Sequence, residues 1–177
     1  MKKKVVFSII GLLFSFVGIC QVPNSQVIDA TLPKGTVSLS KEQASTMLHN
    51  NFKRYEVPTN SKYLDIKNYY QMDGLLVAFW DDEVNPQFKR SLETIRSGIM
   101  GVFRYTHDTV NFSKIITLNN INFLEYEFKK EDEVYLWFQS DVNKNDKNIC
   151  GVIQFKKGNE DKAQKYLDDF LGTVRFK

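Results

Sequence analysis

Apolar and polar residues alternate along three stretches in the second half of the chain. Leu124, Tyr126 and Phe128 alternate with Glu125 and Glu127. Val134, Leu136 and Phe138 alternate with Tyr135, Trp137 and Gln139, and Ile153 and Phe155 alternate with Val152 and Gln154. A period of two puts successive side chains on opposite faces of a pleated strand. The β-branched and aromatic residues here are those that strands favour. Polar turns at residues 118–120, 129–132 and 141–148 separate the strands, so the pattern predicts an antiparallel meander with a lead-in strand over 110–117. An earlier pair of strands, 63–72 and 75–80, flanks Asp73-Gly74, a two-residue hairpin signal.

Three stretches change to helical spacing. Ala44, Met47, Leu48 and Phe52 form a stripe behind a capping box, with Ser40 at the N-cap and Gln43 at N3. This predicts a first helix over 41–54, stopped by Pro58. Phe88, Leu92, Ile95, Ile99, Val102 and Phe103 form a second stripe, opened by Asn85-Pro86. Gly98 and Gly101 weaken that helix or let another element come close. Ala163, Tyr166, Leu167, Phe170 and Leu171 form the third. Asn159 is placed to cap it, Glu160 and Asp161 suit its positive end, and Gly172 is placed to end it in a left-handed conformation. Phe170 sits at the centre of this stripe and is expected to pack on the meander.

The element order is helix, hairpin, helix, meander, helix. Strands grouped apart from helices predict an α+β domain in which an antiparallel sheet, a hairpin plus a meander, packs with three helices. This layout, from about Val57 onward, resembles the PsbP-like proteins, whose bacterial relatives are small exported α/β/α sandwiches. The resemblance implies a three-layer fold and assigns no site residue and no role.

The N-terminus divides the chain. Lys2, Lys3 and Lys4 precede an uncharged apolar run over 5–19, and Gly18 and Cys20 have the small side chains of a cleavage site. Residues 1–20 therefore read as a signal peptide, 21–39 as an extended arm with Pro23, Pro33 and Gly35, and 40–177 as a single α+β domain. The run is shorter than the roughly 20 residues a spanning helix needs, so no membrane span is expected after cleavage. Residues 17–20 also resemble a lipobox with Cys20 as the acylated residue, but Ile19 stands where a small residue is expected. Export to the periplasm or the medium is the expectation, with a lipoprotein as the alternative.

Cleavage changes the charge. The chain has 24 basic and 21 acidic residues, and the three lysines of residues 1–20 are that segment's only charges, so the remainder carries 21 of each. The sequence pI of about 8.7 belongs to the leader. A nucleic-acid partner has no electrostatic footprint. About 157 residues remain, enough for a core without staples, and Cys150 is then the only cysteine, read as a small buried hydrophobe.

Candidate chemistry is sparse. His49 falls late in the first helix and His107 follows the second, where an imidazole suits the helix dipole. Asp81, Asp82 and Glu83 follow a strand and read as a solvated loop leading into a helix. Asp141, Asn143 and Asn145 begin like a calcium loop, but Asp146 replaces its glycine and Val152 its bidentate glutamate, which leaves a polar hairpin. Asn111-Phe112-Ser113 fits a sequon that has no meaning in a bacterium. No cofactor and no metal motif is present. The leading reading is an exported, non-enzymatic binding or accessory domain of the bacterial envelope, whose partner is a protein or small molecule of unknown identity. The alternative is an envelope hydrolase built around Asp81, Asp82 and His107.

If Leu124, Tyr126 and Phe128 share a side with Val134, Leu136 and Phe138, that side is core. The other side then carries Phe123, Glu125, Glu127, Tyr135, Trp137 and Gln139, a mixture too polar for a dry interior and too aromatic for an idle surface. Partial cover by the helix over 86–103 is expected, with Tyr135, Trp137 and Phe123 as the candidate binding surface.

Overall fold

The computed structural model describes Ser25 and residues 27–52, 68–106 and 108–177. The leader and its cleavage site, Pro58, the start of the 63–72 strand and His107 lie outside the described residues.

Seven strands form one antiparallel sheet in the order β2-β3-β4-β8-β7-β6-β5. They are β2 (Val37–Leu39), β3 (Asn68–Met72), β4 (Leu75–Glu83), β5 (Thr109–Leu118), β6 (Ile121–Lys130), β7 (Glu133–Ser140) and β8 (Lys147–Lys156). The hairpin and the meander are thus one sheet, joined where β4 pairs with β8. Asp73 and Gly74 both have positive φ, 48° and 86°, the geometry whose twist matches a tight hairpin. Residues 27–39 do more than lead in. They contain β2, which extends the sheet, and β1 (Ile28–Asp29), which pairs with β9 (Arg175–Phe176). Val27, Ile28, Ala30 and Leu32 of this stretch are buried in the core.

Three helices cover the sheet: α1 (Lys41–Asn51), α2 (Leu92–Thr106) and α3 (Glu160–Leu171). The α3 stripe, Ala163, Tyr166, Leu167, Phe170 and Leu171, is buried on one face against Val77, Phe79, Val134, Leu136, Phe138, Ile153 and Phe155. Phe170 lies 4.8 Å from the Phe79 ring and 6.0 Å from Phe138. Gly151 makes room for this cluster, because a Cβ there would stand 2.3 Å from the Phe138 ring. On the other face α1 buries Ala44 and Leu48 with Leu76, Ala78 and Val152. The α2 helix reaches that same face at its far end, through Phe103 on Tyr126 and Phe128. The result is an α/β/α sandwich.

Local readings need several corrections. Ser40 and Gln43 form the capping box as expected. Asn159 makes no side-chain cap; its amide donates back to the Lys156 carbonyl, and Glu160 accepts from the Gly158 N–H instead. Gly172 is right-handed, with φ −59°, because α3 closes through tight bonds from Thr173 N to Phe170 O and from Val174 N to Leu171 O. Pro86–Phe88 is a separate 3-10 turn, and α2 begins at Leu92, with the Ser91 hydroxyl accepting from Thr94 N. Phe88, in that turn, is exposed at 69%, and Val102, within α2, is exposed at 60%. Among the described residues a Cβ added at Gly98 or Gly101 would meet nothing within 4 Å, so no close approach by another of them explains either glycine.

The largest correction is the register. Glu131 and Asp132 form a two-residue turn, with Glu131 at φ 59°, so Lys130 pairs with Glu133. Tyr126 then faces Trp137 and Phe128 faces Tyr135, while Glu125 faces Phe138 and Glu127 faces Leu136. Leu124, Tyr126 and Phe128 share a face with Tyr135, Trp137 and Gln139, not with Val134, Leu136 and Phe138. The two glutamates sit on the α3 side. Glu125 is fully buried there and takes hydrogen bonds from Lys114 Nζ at 3.1 Å and Gln164 Nε2 at 3.2 Å.

Candidate functional site

Among the described residues, the face shared by α1 and α2 keeps an open groove at one end of its middle strands. The α1 helix packs over β2, β3 and β4, and α2 over β5 and β6. Between them, over β7 and β8, lies a groove of about 410 Å³. Its apolar surface comes from Trp80 at the far part of β4, Tyr126 on β6 and Trp137 on β7. Its polar lining is Glu83, Gln139, Asn148 and Cys150, all near one end of the strands. Alternation along β4, β7 and β8 puts Trp80, Trp137, Gln139, Asn148 and Cys150 on this face, since Trp80 and Gln139 both pair with Cys150; Glu83, in step with Val77 and Phe79, belongs by alternation to the α3 side and borders the groove only at the end of β4.

The aromatic rings form a continuous band across this face. Trp80 meets Trp137 edge to face at 5.9 Å and 86°. Trp137 stacks on Tyr126 at 6.2 Å and 6°. Tyr126 continues to Phe128 and Phe103, and Phe128 stacks on Tyr135 at 5.0 Å. Such ring pairs add about 0.5–1.5 kcal/mol each beyond the area they bury. Trp80 is 8% exposed, whereas Trp137 is half-buried.

The polar end is less well satisfied. Asn148 is 2% exposed; its Nδ2 donates to Cys150 Sγ at 3.6 Å, and its Oδ1 has no hydrogen-bond partner among the described residues. Leaving such a group unpaired costs about 1–3 kcal/mol. Farther along this face, beneath α1, burial pushes the Tyr69 phenol up to about 12, so it stays neutral at ordinary pH.

The residues that the sequence pattern singles out are dispersed. Trp137 lines the groove. Tyr135 lies on the same face but is fully buried, its hydroxyl donating to Glu133 at 2.7 Å. Phe123 is on the opposite face, fully buried in the core beneath α3, because the register puts it opposite Ser140. Asp81, Asp82 and Glu83 are strand rather than loop, because β8 is long enough to pair them with Ile149, Asn148 and Lys147. Asp81 accepts from Ser25 Oγ at 3.1 Å. His49 is exposed in the last turn of α1. Among the described residues no group of three His, Cys, Asp or Glu side chains could hold a metal ion. The Asn143 side chain accepts from the Asn145 and Lys147 N–H groups, so the 141–146 loop is a polar hairpin. Asn111 forms a bulge in β5 and donates to Glu127.

Sequence reasoning missed Trp80, Tyr126, Asn148 and Cys150 as a group. The only signal for them was the pairing of β4 with β8, a contact between distant parts of the chain.

The seven-stranded antiparallel sheet between one helix and two is a PsbP-like fold. The chain is similar to the solution structure of cyanobacterial PsbP (CyanoP) from Synechocystis sp. PCC 6803, with a TM-score of 0.56 and 9% identity. That likeness covers 92% of this chain and 96% of that one, and at this identity it shows the fold alone. A crystal structure from Bacteroides thetaiotaomicron VPI-5482 aligns with a TM-score of 0.47 and 7% identity, over 85% of this chain and 45% of that one, and adds nothing to the assignment. No family model matches the chain, and no curated protein matches it in sequence. Among the described residues no helix is long and apolar enough to cross a membrane.

Proposed function

We propose that this chain is an exported, non-enzymatic binding or accessory domain of the bacterial cell envelope, and that the groove over β7 and β8 is its binding site. The observation that carries the reading is the groove itself: about 410 Å³, floored by Trp80, Trp137 and Tyr126 and edged by a few polar groups. This is the common make-up of a small-molecule site, an apolar cleft with a few placed polar groups. Tryptophan and tyrosine suit such a surface, because they give large contact area with little conformational freedom to lose. The resemblance to a PsbP-like fold fits an accessory role, and the Lys2-Lys3-Lys4 leader fits export.

Native mass spectrometry of the protein recovered from the envelope tests both parts. The expected mass begins at Gln21, with a small-molecule adduct that Trp137→Leu removes while circular dichroism stays unchanged. Retention of residues 1–20 overturns export. A diacylglycerol adduct on Cys20 replaces cleavage before Gln21 with lipoprotein processing. An adduct that persists in the variant overturns the groove as its site.

A further inference from the structure

We propose that the free edge of the sheet, strand β5, pairs with β5 of a second copy of this chain, joining two sheets across a two-fold axis at Ile115. This surface is separate from the groove. β5 ends the strand order, and among the described residues it has no neighbour on its outer side. At ten residues it is as long as β6 and β8, whereas β2 at the opposite edge has three. A long free edge presents a row of unpaired N–H and C=O groups, and what satisfies such a row is another extended strand. The turn decides which groups face outward. Asn119 and Asn120 have φ of 53° and 63°, the two-residue hairpin whose flanking residues, here Leu118 and Ile121, exchange both hydrogen bonds. Counting back, Ile116 and Lys114 also bond to β6, while Thr117, Ile115 and Ser113 turn their backbone groups away from it. The Ser113 carbonyl is accordingly placed to accept from Arg96 Nη2 of α2 at 2.7 Å. A carbonyl has two lone pairs, so that bond does not close the edge.

The usual guards of a free edge are weak here. The bulge at Asn111 interrupts the strand only near its start. Lys114 is the strand's only charged residue, and its ammonium is held on the α3 side of its own sheet. There it lies 3.1 Å from the fully buried Glu125 and 5.0 Å over the Phe112 ring. Phe112, Ile116 and Leu118 on that side and Ile115 on the other are only half-buried, so the edge offers apolar surface on both faces. The strand also matches itself in one register. Antiparallel self-pairing centred on Lys114 would set two ammonium groups directly opposite each other. Centred on Ser113 it would run Ile115 into the bulge at Asn111, and centred on Ile116 it would run Phe112 into the turn at Asn120. Centred on Ile115, Ser113 meets the second copy's Thr117, Phe112 meets its Leu118, and Lys114 meets Ile116 rather than a like charge. A foreign strand would satisfy the same backbone row; this self-matching register favours a second copy.

Sedimentation equilibrium of the protein recovered from the envelope, at rising concentration, is the test. Wild type is expected as a dimer that dissociates on dilution. Ile115→Pro removes an outward N–H that β6 does not use, so it should give a monomer with an unchanged circular dichroism spectrum. Should that variant fail to fold, single cysteines decide the matter. Oxidised Ile115→Cys should form a disulfide-linked dimer. In Thr117→Cys the two new cysteines lie about 13 Å apart along the paired strands and should not cross-link. A monomer at every concentration overturns the proposal; if that monomer binds a synthetic peptide of residues 109–118, the edge takes a free strand and not a second copy. A dimer that persists in folded Ile115→Pro overturns β5 as its interface. Cross-linking that does not favour Ile115→Cys over Thr117→Cys overturns the register, and the proposal with it.

Discussion

The two faces of one sheet are built from the same strands and finish very differently. Beneath α3 the residues of β4, β7 and β8 meet a single amphipathic helix whose five apolar positions are all buried. Phe79, Phe138 and Phe170 interlock, Gly151 lets the Phe138 ring lie against the strand, and residues 27–32 seal an edge. The face under α1 and α2 is roofed by two helices from different parts of the chain. Each covers one side of the sheet, and among the described residues one end of the strip over β7 and β8 carries aromatic side chains, a groove and an amide oxygen without a partner. One helix centred on a sheet makes a core. Two helices set apart on it leave a groove between them, floored by an aromatic band.

The comparison can be broken first at its most closed point. Phe170→Ala should lower stability by about 3–5 kcal/mol, since it empties a fully buried ring position. Trp137→Ala on the other face should cost clearly less, because Trp137 is already half-buried. Denaturant midpoints for the two variants decide the matter, and equal losses would mean the two faces are packed alike. Gly151→Ala comes next. A Cβ there would stand 2.3 Å from the Phe138 ring and 2.8 Å from the Ala78 carbonyl, so overpacking should cost about 1–3 kcal/mol. A wild-type midpoint would show that the Phe138 ring can move aside at little cost.

The α2 helix offers a test in the opposite direction. Gly98 and Gly101 sit within it, exposed, with open space where a Cβ would go. Gly98→Ala and Gly101→Ala should each stabilise by up to about 1 kcal/mol through helix propensity. If either lowers the melting temperature, that glycine has a neighbour not accounted for.

The smallest expected effect lies on the closed face. Burial raises the Glu127 carboxyl above its ordinary value of 4.5, the bond from Asn111 pulls it back, Glu160 raises it further and Lys129 lowers it. A raised carboxyl binds its proton more tightly folded than unfolded, so stability falls as pH rises from the ordinary value through the raised one. Glu127→Gln removes that loss. The variant should gain on wild type at pH 7 and lose the gain below the ordinary carboxyl range. A difference in midpoint that is the same at pH 4 and pH 7 would show that titration of Glu127 is not its source.

Much of the fold was legible in the sequence. Period-two alternation, Asp73-Gly74, the Ser40 capping box and the α3 stripe each act within a few residues, and each formed the element its pattern implied. The register of β6 against β7 was not legible from alternation, because period two gives two faces without saying which faces join. The length of the turn decides that: two residues, Glu131 and Asp132, put Tyr126 opposite Trp137 and send Glu125 and Glu127 to the α3 side. Counting outward from that turn would have moved Phe123 off the candidate surface. The groove was the least legible feature. Trp80 and Asn148 lie 68 positions apart and meet only through the pairing of β4 with β8. The acidic stretch at Asp81 misled for the same reason, since only its partners on β8 make it a strand.

The most direct test of the account is the solvent access of Trp137. In a Trp80→Phe protein it is the only tryptophan left, and acrylamide quenching of its emission reports on the groove alone. Quenching intermediate between that of the denatured chain and that of a fully buried indole is expected, with a decrease when the groove is filled. Emission that acrylamide leaves untouched would mean the face under α1 and α2 is as closed as the face under α3, and would contradict the groove as a binding site.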